Sequence, residues 1–109
     1  MKDEIIVISL GGSLIVPDEV DVAFLNDFKK LISSQISLGK KFVIITGGGK
    51  VCRRYQDAAK QVVEPSHEDL DWIGIASLKL NAELVRVVFG NLANKEVVAN
   101  LGESFAFEN

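Results

Sequence analysis

Residues Glu4 to Leu10 form a nearly unbroken β-branched run, Ile5-Ile6-Val7-Ile8 followed by Ser9 and Leu10, that stops at Gly11-Gly12. A run without polar alternation predicts a strand covered on both faces of a parallel sheet. From Asp21 the period changes. Val22, Leu25, Phe28 and Ile32 recur at helical spacing, Phe24, Leu31 and Ile36 widen the stripe, and Asp27, Lys29 and Lys30 fall on the opposite side. Asp21 serves as the N-cap of this helix and Gly39 as its C′ residue. Phe42-Val43-Ile44-Ile45-Thr46 is then a second buried strand, and a helix between two such strands predicts a right-handed βαβ unit.

A triple glycine, Gly47-Gly48-Gly49, follows at once. Behind it Val51, Tyr55, Ala58, Ala59 and Val62 predict a second helix that stops before Pro65. Ser66-His67-Glu68-Asp69 resembles a capping box, with Asp where Glu or Gln is usual. It opens an expected apolar helix from His67 to Phe89, along Leu70, Ile73, Ser77, Leu80, Leu84 and Val88, ended by Gly90. A short strand is expected over Glu96 to Leu101. The layout is α/β, a single domain over residues 1–109, and it holds too few strands for a closed set: an open parallel sheet of this size leaves edges that a stable domain covers or extends.

Composition narrows the function classes. The 109 residues are 48% apolar and 25% charged with a formal charge of -3, an ordinary globular balance that gives no general drive toward nucleic acid or anionic membrane. A phosphate ligand would therefore need local capture. The single cysteine, Cys52, excludes an intrachain disulfide and fits a reducing cytoplasmic setting. The N-terminus runs into Ser9 and two glycines too soon for a signal peptide, and no apolar run approaches the roughly 20 residues that cross a bilayer.

The candidate chemistry lies where strands give way to glycines and then to helices, at Leu10-Gly11-Gly12-Ser13 and at Thr46-Gly47-Gly48-Gly49-Lys50. The carboxyl ends of parallel strands are where α/β proteins bind ligands. Glycine lets the backbone approach an anion, and the free N–H groups and positive dipole end of the next helix favour phosphate. Two such turns facing each other could hold two phosphorylated ligands. Neither fits the Walker or the dinucleotide-binding glycine pattern. Each cluster could instead be a tight turn and nothing more. At the second, Lys50, Arg53 and Arg54 oppose the helix dipole at the start of the helix, a conflict that a bound anion would remove.

Asp71 and Asn81, ten residues apart on the long helix, project in similar directions from an apolar element. Asp71 either accepts hydrogen bonds from a ribose or stabilises the helix start as a first-turn acid. His67 has no second His or Cys at a metal-ligand spacing and reads as a surface cap. Trp72 reads as core or interface packing. Cys52 has no His–Asp partnership that would make it a nucleophile.

In these residues the chain resembles the amino-acid kinase superfamily and, within it, the archaeal-type uridylate kinases. The resemblance rests on Ile8-Ser9-Leu10-Gly11-Gly12-Ser13, on Thr46-Gly47-Gly48-Gly49-Lys50 with Arg53 and Tyr55 behind it, and on Asp71-Trp72-Ile73-Gly74-Ile75 leading to Asn81-Ala82. It implies a three-layer α/β/α fold with a mainly parallel sheet, here incomplete. It also implies that Gly11, Gly12 and Ser13 cradle the donor phosphates of ATP. Gly48, Gly49 and Arg53 would then bind the phosphate of UMP, and Asp71 its ribose. Many members carry a Lys two residues before the first glycine, where this chain has Ser9. Family members are also longer, and their second half brings the ATP base pocket, a catalytic Lys and an organising Asp.

The implied reaction is transfer of the γ-phosphoryl group of Mg-ATP to UMP, giving UDP in pyrimidine nucleotide synthesis. ATP and Mg2+ are the implied cofactors, a dimer-based hexamer is the implied assembly, and no catalytic residue or metal ligand is assigned within this chain. Two other readings stay open. One is a phosphotransferase of the same superfamily with another carboxylate or phosphate acceptor, and the other is a non-catalytic nucleotide-binding or assembly module.

Overall fold

The computed structural model describes residues 5–93. Strands β1 (Ile5–Leu10) and β2 (Lys41–Thr46) pair in parallel, with Ile5 opposite Lys41 and Leu10 opposite Thr46. This register ends both strands at one level, so their glycine turns leave the sheet side by side. Helices α1 (Gly12–Ile15) and α2 (Val22–Ile36) connect the strands, and α3 (Gly49–Val62) and α4 (His67–Phe89) follow, with a single 3-10 turn at Gly90–Leu92. The strand expected over 96–101 lies outside the described residues.

The element boundaries follow local signals. The Asp21 carboxylate accepts a hydrogen bond from Phe24 N–H at 3.0 Å and starts α2. The Ser66 hydroxyl does the same for α4, accepting from Asp69 N–H at 3.0 Å. Gly90, at φ 56°, ends α4 in a conformation other residues avoid. Gly39 also has positive φ, but α2 already ends at Ile36 with Ser37 as its C-cap, so Gly39 closes the turn beyond the cap rather than standing next to it.

Leu10, Ile15, Val16, Leu25, Ile32, Val85 and Phe89 form the core. The Phe28 ring stacks on Phe24 at 5.8 Å and meets Phe89 edge-on at 5.9 Å, which ties α2 to the end of α4.

The structure corrects two expectations. First, β1 is not covered on both faces among the described residues. Its side chains alternate, Ile8 and Leu10 turning to the core shared with α2 and α4 while Ile5 and Val7 remain 58% and 61% exposed. Second, the most buried line of α4 is Asn81, Val85 and Phe89; Leu84 and Val88 of the expected line pack beside it against the core, whereas Leu80 is 65% exposed. Apolar residues encircle α4, so periodicity alone does not choose its inner face. That face is marked by Val85 and Phe89 in the core and by the hydrogen bond from Asn81.

Candidate functional site

The two glycine turns are in direct backbone contact. A Cβ on Gly12 would lie 2.5 Å from Gly49 N, 2.6 Å from Gly47 O and 2.6 Å from Gly48 C. One on Gly49 would lie 2.7 Å from both Gly12 C and Ser13 N, and Gly49 also has a φ of 62°. No side chain fits at either position. Gly47 N–H donates to Leu10 O at 3.2 Å, extending the strand pairing into the turns. Gly12 is buried within this contact, whereas Gly11 and Ser13 are exposed beside it.

Helix α4 supports the second turn from below. Asn81 Nδ2 donates to Gly47 O at 2.7 Å, and the Thr46 hydroxyl donates to Leu78 O at 2.8 Å. Both are buried polar residues, and each is paired, as burial requires. Further along, Gln56 Nε2 donates to Leu70 O at 2.9 Å. With Gly48 beside Ser77 and Gly74 beside the Cys52 sulfur, these contacts run α3 and α4 past each other in opposite directions. Cys52 is thus partly buried between the helices, a packing residue as its lack of a His partner suggested.

At the opening of α3, Gly49 meets the first turn and Val51 packs against the core, while Lys50 between them is exposed. The amides of Gly49, Lys50 and Val51 precede the first intrahelical acceptor and have no partner inside the helix. Lys50 and Arg53 are exposed, and neither makes an ion pair among the described residues. Arg54 differs. Its guanidinium pairs with Asp18 at 3.0 Å, strapping α3 to the segment after α1, so it is not one of the free cations expected at this helix start.

Asp71 is exposed and not in contact with the glycine turns. It lies six residues before Ser77, the α4 residue next to Gly48, which is about 9 Å along the helix axis. A ligand reaching from Gly48 to Asp71 must therefore span at least about 9 Å. Asn81 does not share the exposed face of Asp71; it points inward. Its support of Gly47, like that of Thr46 to Leu78, went unrecognised in the sequence. The one available signal was an uncharged polar Asn between the apolar residues Leu80 and Ala82.

The arrangement is a parallel α/β unit in which both strands open at their carboxyl ends into glycine turns. The Amino acid kinase family profile matches residues 4–104, and the chain belongs to that family. It is similar to the uridylate kinase of Thermococcus onnurineus, 36% identical over an alignment of 103 residues that covers 92% of this chain and 44% of the relative. It is also similar to that of Thermoplasma volcanium, 41% identical over 80 residues, or 73% of this chain and 34% of the relative. The crystal structure of uridylate kinase from Archaeoglobus fulgidus superimposes with a TM-score of 0.72 at 32% identity, covering 85% of this chain and 41% of that one. The fold is thus the amino-acid kinase fold in part, and the chain spans less than half the length of these relatives.

Proposed function

We propose that residues 1–109 form the acceptor-binding part of a single nucleoside monophosphate kinase domain that transfers the γ-phosphoryl group of ATP to UMP. The interlock of the two turns carries this reading. Phosphates seated over backbones in van der Waals contact lie side by side, as transfer between them requires. Gly11, Gly12 and Ser13 border the donor phosphates, with Gly12 acting chiefly as the spacer that lets the turns meet. Gly48, Gly49 and Arg53 hold the UMP phosphate, and Asp71 takes the ribose hydroxyls further along α4.

An oxygen of the UMP phosphate attacks the γ-phosphorus, the bond to the ADP oxygen breaks, and UDP and ADP result. That oxygen is already anionic, so no general base is assigned. The chain's own part is to position the acceptor and neutralise its charge. Among the described residues no cluster of His, Cys, Asp or Glu is suited to hold a metal ion, so no step is assigned to Mg2+, which enters with ATP.

The setting is pyrimidine nucleotide synthesis in the cytoplasm; no helix among the described residues is long and apolar enough to cross a membrane. Trp72, Leu80 and Val87 expose a large apolar area on α4, the face on which the chain forms homo-oligomers. The 109-residue chain alone is inactive.

Calorimetry of the purified chain against UMP, CMP, AMP and GMP tests the acceptor. UMP is expected to bind most tightly. Equal binding of all four would leave a phosphate site without uridylate specificity, and UDP formation by this chain with Mg-ATP would overturn its inactivity.

A further inference from the structure

We propose that Asn81 is a positioning residue for the acceptor phosphate: by holding the Gly47 carbonyl inward, it aims the Gly48 N–H at the anion. Asn81 is 4% exposed, and among the described residues only Thr46 joins it as a buried polar side chain. Placing an amide there is unfavourable unless it is hydrogen-bonded, and its Nδ2 reaches Gly47 O at 2.7 Å from 34 residues away.

The peptide between Gly47 and Gly48 is trans, and in a planar trans peptide C=O and N–H point in opposite directions. Fixing the carbonyl toward α4 therefore fixes the Gly48 N–H away from it. Among the described residues that N–H donates to no turn or cap acceptor. Two glycines in sequence leave the intervening peptide free to rotate, and a flip would present a carbonyl oxygen where a phosphate needs a donor. Asn81 removes that freedom. It makes the donor ready before the ligand arrives and turns the negative end of the same peptide away from it. Gly48 is further confined because even a Cβ there would meet Cys52 Cβ at 2.8 Å and Ser77 Cβ at 3.1 Å. This inference rests on the reading that the second turn receives the UMP phosphate.

The test uses the full chain, with UMP calorimetry and amide NMR on the wild type, Asn81→Leu, Asn81→Ser and Val85→Ala. Val85 is buried one helical turn further along α4 and serves as a control for lost stability. Both Asn81 variants are expected to lose about tenfold or more in UMP affinity, the effect of one misplaced hydrogen bond to a charged group. Val85→Ala is expected to melt earlier yet bind as the wild type does. In the wild type, UMP is expected to shift the Gly48 amide resonance, a result that stands even if the Asn81 variants fail to fold.

An Asn81 variant that folds and binds UMP normally overturns the proposal. So does an equal loss in Val85→Ala, which makes Asn81 a stability residue only, or a Gly48 amide unmoved while UMP binds. Failure of the wild type to bind UMP overturns the reading of the turn itself, and this inference with it.

Discussion

The turn after β1 leads into a helix of four residues and carries no cation, whereas the turn after β2 leads into the fourteen-residue α3, with Lys50 and Arg53 exposed near its start. Asn81 holds the second turn from beneath. Among the described residues no comparable side-chain bond reaches Gly11 or Gly12. Both turns are glycine-built. Gly12 is glycine because another backbone occupies the space of its side chain. Gly11 has open space around it among the described residues and an ordinary extended backbone, φ -59° and ψ 142°, so neither crowding nor backbone conformation there requires a glycine. The second turn combines free amides, a long helix dipole and cations, the ingredients of an anion site.

Substitution at Gly12 should break the comparison most severely. Gly12→Ala drives a methyl group into three backbone atoms that no rotamer change can move, and overpacking of this kind costs about 3 kcal/mol or more at its upper end. Thermal unfolding should show a large fall in Tm, and a near-normal Tm would mean that the turns can separate.

Arg53 and Arg54 divide ligand binding from structure. Arg53→Ala is expected to weaken UMP binding by about 1.5–3 kcal/mol, the worth of a hydrogen bond to a charged group, while ATP binding changes little. Arg54→Ala removes only the exposed pair with Asp18 and should cost less than about 1 kcal/mol of stability, with UMP affinity retained. Equal losses of UMP and ATP affinity in Arg53→Ala would mean that the second turn has been given the wrong ligand.

These contrasts also show what the sequence could carry. The strands, the start of α2 at Asp21 and the span of α4 from Ser66 to Gly90 were legible, because caps, glycines and periodicity act within a few residues. The meeting of Gly12 with Gly49 was not, since it depends on the strand register that places Leu10 opposite Thr46. Nor was the inner face of α4, where apolar residues on several sides left the choice to the long-range contacts of Asn81, Val85 and Phe89. The pairing of Arg54 with Asp18, 36 residues apart, was hidden for the same reason.

A smaller effect is expected at Asp71. If it takes the ribose hydroxyls, Asp71→Asn should lower UMP affinity about tenfold, equivalent to 1.4 kcal/mol, and narrow the preference for UMP over dUMP. If it touches no ligand, UMP affinity and stability should both change little, because the first-turn acids of α4 are Glu68 and Asp69 and the expected first-turn place of Asp71 lies beyond them. Calorimetry and thermal unfolding of the same variant separate the two.

Gly11→Ala should have the least effect on folding. With no atom near its added methyl and a compatible backbone, it is expected to raise stability by about 0.4–1 kcal/mol through the unfolded chain. Denaturant unfolding that shows a loss instead would mean that the first turn is as tightly constrained at Gly11 as at Gly12.

The division of labour between the turns is tested most directly by a crystal structure of this chain grown with UMP. The phosphate is expected within hydrogen-bonding distance of the Gly48 or Gly49 N–H and of the Arg53 guanidinium, with the nucleoside running along α4 toward Asp71. A phosphate seated over Gly11 and Ser13 instead, with Arg53 turned to solvent, would contradict the account.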